Sequence, residues 1–325
     1  MTQARGGLTA VEALGLRLPS PLGVAAGLDK DAEHYEGLGA LGFGFVEVGT
    51  LTPGPQGPNA GRILARVPAD RALLNRMGFP NKGAEAAARR LARVRRQTVV
   101  GVNIGKNRDT PLESAAGDYV QAARVLAPYA DYLVLNISSP NTPGLRELEA
   151  SARLEPLVRA VRGVIGVTPL LVKISPDLSD TDLDTLADVA LALGLAGIVA
   201  TNTTLRRDGL HTPAAEVARR AWPDGGGVSG APLGPRSLEV LTRLHARAGG
   251  RLVLVSAGGV ASADDVWERV LAGATLVQSY TGFVYGGPAW PRAVNLELAR
   301  RAREAGARSI QELVGTGGSV PAGDQ

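Results

Sequence analysis

Eight short apolar runs rich in Val, Ile and Leu recur along the chain, each followed by a turn and then a helical pattern. They are "LGVAAG" from Leu22, "GFVEVGT" from Gly44, "TVVGVNIG" from Thr98 and "YLVLNIS" from Tyr132. The second half supplies "LLVKIS" from Leu170, "GIVATNT" from Gly197, "RLVLVSAGG" from Arg251 and "TLVQSYTG" from Thr275. Near-continuous apolar strands separated by helices belong to a parallel sheet covered on both faces. Eight of them with no interrupting linker predict a single (β/α)8 TIM barrel rather than an open doubly wound sheet. The barrel is expected over residues 21–310, after a short N-terminal segment (1–20) and before a disordered tail (311–325).

Helix signals fit this order. "SPDLSDTDLDTLADVALALG" places serine and aspartate before an apolar stretch of period 3.6 and ends at a glycine. "SADDVWERVLAGA" opens with a serine cap and an acidic first turn. Two gaps, Leu51 to Gln97 and Thr204 to Gly250, are too long for a simple crossover. Each is expected to hold a helix plus an excursion over the barrel mouth.

Composition narrows the chemistry. The 325 residues are 45% hydrophobic and 20% charged, the balance of a soluble domain with a substantial core. With no cysteine, disulfides, iron–sulfur ligation and thiolate nucleophiles are excluded. His34, His211 and His245 are far apart with no paired spacing, which argues against a metal site of the usual ligand clusters. Net charge is +4 with a pI near 9.6. The basic run from Arg89 to Arg96 reads as a solvated helix face with Leu91 and Val94 turned inward. It has no interleaved aromatics to stack on bases, so nucleic-acid binding is disfavoured. No stretch reaches the ~18 apolar residues of a membrane span, and the N-terminus lacks the apolar core of a signal peptide.

The C-terminal ends of the strands carry the chemistry. In order they offer Asp29 and Lys30, Thr50, Asn103 with Lys106, Asn136 with Ser139, Lys173, Thr201 with Asn202, Gly258 with Gly259, and Tyr280 with Thr281. In a barrel these ends converge on the face where active sites of the fold lie. Any one polar residue after a strand is an ordinary turn former. Lysine is not, and Lys173 stands inside its apolar run, where burial without a partner is costly. "GVSGAP" from Gly227, "SAGGV" from Ser256 and "SYTGF" from Ser279 then place glycine-bearing loops near strands seven and eight. Barrels commonly bind phosphate there, through backbone N–H groups. The residues alone therefore fit two classes: a flavin redox enzyme, or an isomerase or lyase acting on a sugar phosphate.

In order along the chain, "AAGLDKD", "VEVGTLTP", "LLNRMGF", "GVNIGKN", "LNISSPNTPG", "VKISPD", "IVATNTT", "GGVSGAPL" and "LVQSYTGF" resemble the motifs of the quinone-linked (class 2) dihydroorotate dehydrogenase family. The resemblance covers roughly Pro21 to Arg301. It implies FMN as cofactor, oxidation of dihydroorotate to orotate in pyrimidine biosynthesis, and a quinone as electron acceptor. By motif position FMN would meet Ala26, Gly27, Leu28, Asp29, Lys30, Thr50, Asn103, Asn136, Lys173, Thr201, Gly230, Gly259, Tyr280 and Thr281. The pyrimidine would meet Lys30, Asn75, Arg76, Met77, Gly78, Phe79, Asn136, Asn141, Asn202 and Thr203. Ser139 resembles the family's catalytic base, on a mobile lid "NTPGLRELEA", with Thr142 and Phe79 as relay candidates. Serine here, where soluble class 1 enzymes have cysteine, is what implies the quinone. Another pyrimidine-reducing FMN barrel and a non-flavin phosphate-binding isomerase are the alternatives.

The match departs from the family in two places. Class 2 members usually carry an amphipathic helical segment before the barrel, which docks on the membrane. Here strand one begins near Pro21, so that element is expected to be absent or abbreviated. The resemblance places the protein peripherally on the cytoplasmic face of the cell membrane, or in the cytoplasm without the docking segment. In "GRILAR", Arg62 and Arg66 are four apart where the family has arginines three apart, so no quinone role is assigned to them.

Overall fold

The computed structural model describes residues 7–93, 96–222 and 225–317. Its strands, in chain order, begin with β1 (Val11–Ala13), β2 (Leu16–Leu18), β3 (Leu22–Val24), β4 (Phe45–Leu51), β5 (Leu64–Val67) and β6 (Ala72–Asn75). Then come β7 (Val99–Ile104), β8 (Tyr132–Asn136), β9 (Leu170–Ile174), β10 (Gly197–Ala200), β11 (Gly227–Gly230), β12 (Val253–Ala257) and β13 (Leu276–Ser279). A closed barrel runs β3-β4-β7-β8-β9-β10-β12-β13 and back to β3, with every pair parallel. These are the eight apolar runs of the sequence. The barrel strands are nearly all buried because helices cover one face and packed side chains fill the other.

The two helix starts form as their sequences dictate. Ser179 accepts a hydrogen bond from the Asp182 N–H at 3.1 Å at the head of the helix Asp180–Ala192. Ser262 caps the helix Ala263–Leu271, and Asp265 returns the bond to the Ser262 N–H, a complete capping box. On the helix Ala84–Arg93, Leu91 is buried as expected. Val94 lies outside the described residues.

Both long gaps leave the barrel, and they meet each other. β6 pairs antiparallel with β5 on one side and with β11 on the other. The resulting three-stranded sheet has its own small core of Ala65, Val67, Ala72, Leu74, Val217, Trp222 and Val228. "GVSG", read from sequence as a loop, is therefore a strand of this roof. It still reaches the mouth, because Ser229 and Gly230 face the cleft beneath.

Both ends of the described chain pack on the barrel. Residues 11–18 form a hairpin whose Val11 and Leu18 are buried, and the Glu12 N–H bonds Gln311 at 2.8 Å. The 3-10 turn Ile310–Leu313 buries Ile310 and Leu313 in the main core. Residues 311–317 are thus packed chain rather than disordered tail: two apolar residues three apart suffice to seat the turn. Residues 318–325 lie outside the described residues.

Candidate active site

One cleft, open to solvent on one side, lies at the C-terminal ends of the barrel strands under the roof. Its floor is a chain of amides. Asn136 Nδ2 donates to Thr50 Oγ1 (2.9 Å) and Asn103 Oδ1 (3.1 Å), while its Oδ1 accepts from Asn202 Nδ2 at 3.2 Å. Asn202 Nδ2 also reaches Ser138 Oγ at 3.0 Å, and Asn141 Nδ2 donates to Asn75 Oδ1 at 2.8 Å. Each asparagine offers both a donor and an acceptor, so four of them on one cleft match a planar ring edge by edge. Thr203 Oγ1, also on the wall, is buried with no partner among the described residues.

Lys173 is the strongest electrostatic feature. It projects from β9 into the barrel, 5% exposed, and its Nζ makes no hydrogen bond to any described residue. Burial holds the ammonium below its ordinary range, with the Glu47 carboxylate opposing. Glu47 itself is fully buried and engaged elsewhere, accepting from Asn103 Nδ2 (2.7 Å) and Gln278 Nε2 (2.6 Å). The cation is thus left facing the cleft, which calls for an electron-rich acceptor on the ligand. Lys30 donates to Gly27 O at 2.5 Å, and burial lowers its pKa too, against Asp31 and Asp29.

Ser139 is 4% exposed on the cleft wall, and its Oγ accepts from the Asn141 N–H at 3.2 Å. The segment after it is pinned down. Arg146 donates to Ser138 O (3.1 Å), Asp177 (2.8 Å) and Thr203 O (3.0 Å), and Glu149 accepts from the Ser175 N–H at 2.6 Å. With Leu145 and Leu148 buried, the stretch read as a mobile lid is seated in the 3-10 helix Leu145–Glu149. On the opposite wall Phe79 adopts a left-handed backbone (φ +53°). Such a residue is strained by roughly 1 kcal/mol or more, and Gln56 and Asn81 hold it by donating to its carbonyl at 3.1 and 2.9 Å.

The cleft wall includes Ala26, Gly27, Lys30, Thr50, Asn75, Met77, Gly78, Phe79, Asn136, Ser139, Asn141, Lys173, Thr201, Asn202, Thr203, Gly230, Gly259, Tyr280 and Thr281. Four residues expected at the cofactor or the pyrimidine, Leu28, Asp29, Arg76 and Asn103, do not line this cleft. Asp29 turns its carboxylate to the Glu33 and His34 N–H groups, 2.8 Å each. Leu28 packs against the core. Arg76 points outward to Arg62 O and Ala60 O, with its guanidinium 5.0 Å from the Trp222 ring. Asn103 lies beneath the floor, joining Thr50, Glu47 and Asn136. Lys106 is likewise withdrawn, its Nζ bound to the carbonyls of Asn107, Arg108 and Thr110. Sequence reasoning missed Gln278 and Ser229, inward-facing polar residues on strands; Gln278, inside the run "TLVQSYTG", carried the same signal as Lys173.

The glycine end is built for close backbone approach. Gly230, Gly258 and Gly259 all border the cleft and all have positive φ. A Cβ on Gly259 would stand 2.2 Å from Gly234 Cα, and one on Gly230 would stand 2.3 Å from Arg71 O. Only glycine permits this close backbone packing. Among the described residues no group of three or more His, Asp and Glu is placed to hold a metal ion.

Comparison with known proteins agrees with this geometry. The family model for dihydroorotate dehydrogenase matches residues 8–301. A protein of Rhodococcus opacus (strain B4) named dihydroorotate dehydrogenase (quinone) is 57% identical over 303 residues, covering 93% of this chain and 84% of its own. A namesake from Mycobacterium tuberculosis (strain ATCC 25177 / H37Ra) is 54% identical over 302 residues, covering 93% and 83%. Among solved structures, that of the Eimeria tenella enzyme in complex with ferulenol superposes with a TM-score of 0.87 at 35% identity, covering 95% of this chain and 88% of that one. The fold, the cleft at the strand ends and the match along nearly the whole length agree: this chain belongs to the dihydroorotate dehydrogenase family of flavin-dependent enzymes.

Proposed function

We propose that the chain oxidises dihydroorotate to orotate with FMN held in the barrel mouth, Ser139 as the base and a quinone as final acceptor. The observation that carries this reading is the convergence of Ser139, the asparagine floor and the unpartnered Lys173 ammonium on one cleft. When bound, the flavin supplies the acceptor for the hydride from C6 of the substrate. Gly259 and Gly230 would receive its phosphate, and Lys173 would set a positive charge beside N1 and the C2 carbonyl, where reduction adds negative charge.

The chain's own residues do the rest. Asn75, Asn136, Asn141 and Asn202 fix the pyrimidine by its edge, and Lys30 meets its carboxylate. Ser139 Oγ takes the C5 proton while handing its own onward, since a serine hydroxyl cannot hold an extra proton near neutral pH. Thr142, whose buried hydroxyl has no partner among the described residues, is the relay candidate. Arg146 and Glu149 keep the segment closed so that the transfer occurs out of water.

Among the described residues no helix is long and apolar enough to cross a membrane. A peripheral position on the membrane is part of the same reading. It is supported by the lipid solubility of quinones and by Leu64, which borders the cleft and is 40% exposed. The test is the visible spectrum. Purified protein should be yellow with one FMN per chain, and dihydroorotate should bleach it without oxygen while NADH does not. A protein that stays colourless after FMN reconstitution, or one bleached rapidly by NADH, would overturn the proposal.

A further inference from the structure

Arg269 lies on the helix Ala263–Leu271, behind the glycine end of the cleft, and no step above uses it. Only 3% exposed, its guanidinium donates to Gly258 O (2.7 Å), Ser256 Oγ (3.1 Å), Ser237 Oγ (3.1 Å) and, at 3.4 Å, Gly234 O. Every one of these acceptors is neutral. Asp265 is committed to the capping box, and neither it nor Glu268 forms an ion pair with Arg269. Arg269 Nε has no acceptor among the described residues. A buried guanidinium that the Asp265 and Glu268 carboxylates reach only at a distance, without an ion pair, is costly to hold.

Its contacts fall on the loops that border the cleft. Gly258 O also accepts from Ser237 Oγ at 2.8 Å, so that carbonyl is held from two sides. In a trans peptide the Gly259 N–H points opposite the Gly258 carbonyl. Neither the Gly258 nor the Gly259 N–H has an acceptor among the described residues, and both glycines line the cleft. Gly234, the other carbonyl contact, opens the helix Gly234–Ala248 and packs backbone to backbone on Gly259.

We infer that Arg269 is a positioning residue for a phosphate monoester dianion: it clamps the two glycine segments so that their N–H groups face the cleft, and its buried charge is completed by the ligand. The inference rests on the FMN reading above and assigns the phosphate its hidden counter-charge. Arg269 touches only the loops and not the ligand, so its effect must depend on the phosphate and not on the ring.

The test compares FMN with riboflavin, which lacks the phosphate, on apoprotein by fluorescence quenching. Arg269→Gln should weaken FMN roughly 10- to 100-fold, the scale of one charge-assisted contact, while riboflavin changes by less than about three-fold. Arg269→Lys, which restores the cation, should recover most of the FMN affinity. Equal losses for the two flavins, or none for FMN, would make Arg269 a packing residue and end the inference. Should the glutamine variant not fold, wild-type apoprotein still decides. Inorganic phosphate must raise its melting temperature over chloride at matched ionic strength and must compete with FMN but not riboflavin; phosphate without effect overturns the inference. Wild type that binds riboflavin as tightly as FMN overturns the FMN reading itself.

Discussion

Glu149 gives the sharpest handle on the segment that carries Ser139. Burial pushes its carboxyl from an ordinary 4.5 up to about 8, opposed by the Ser175 N–H and Arg146 and reinforced by Asp177 and Asp182. The folded protein therefore keeps Glu149 protonated over a range in which the unfolded chain has released the proton. Stability must then fall as pH rises from about 4.5 to about 8, and level off above. The rise of about 3.5 pH units, at 1.36 kcal/mol each, sets a ceiling of about 5 kcal/mol. Local opening of the segment limits the loss to less than that ceiling. Glu149→Gln keeps an oxygen for the Ser175 N–H and never ionises. Urea unfolding of both proteins from pH 5 to 9 should give curves that diverge with pH, the glutamine variant being the more stable above pH 7. Parallel curves would show that Glu149 ionises without cost and is not the acid that seats the segment.

Two further substitutions test the site itself. Ser139→Ala removes one hydroxyl, so flavin uptake and orotate affinity should persist while anaerobic bleaching by dihydroorotate slows about 10²–10⁴-fold; bleaching at the wild-type rate would reduce Ser139 to a turn residue. Lys173→Met removes the charge facing the cleft and should slow the same bleaching about 10²-fold while lowering the potential of the bound flavin; an unchanged potential would place the ammonium away from the ring.

What the sequence revealed follows from which contacts are continuous along it. Each barrel strand is buried on both faces, so "YLVLN" and "LLVKI" stand out as unbroken apolar runs. Ser179 and Ser262 were legible as caps because capping is settled within four residues. The roof was not legible. β5 and β6 are four residues each, and β11 joins them through a register (Gly227 opposite Asn75) that spans more than a hundred residues of chain. Nothing local in "GVSG" marks it as a strand. At the site, motif order picked out residues most of which line one cleft, but not their orientation. Asp29 and Lys30 are adjacent, yet one caps a turn and the other enters the cleft. Arg269 carried no signal at all, since an arginine late in an amphipathic helix reads as solvated surface.

The cations around the cleft share one arrangement. The acids nearest Lys30 are spent on backbone groups: Asp29 on the Glu33 and His34 N–H, and Asp31 on the Lys82 N–H at 2.6 Å. Glu47, behind Lys173, is held by Asn103 and Gln278. Asp265, beside Arg269, is spent on its cap. In each case an acid lies nearby with its hydrogen bonds spent elsewhere; Lys30 and Lys173 line the cavity, while Arg269 lies behind the glycine loops that border it. Burial disfavours each lysine's charged form, and an anionic group placed beside it favours that form, so ligand binding and proton uptake at these lysines are linked. On the proposed reading the three cations meet three separate demands: the substrate carboxylate, the reduced ring and the phosphate. On the same reading a neutral pyrimidine would satisfy the asparagines yet leave Lys30 without an anion, so charge rather than ring shape would separate dihydroorotate from its uncharged relatives.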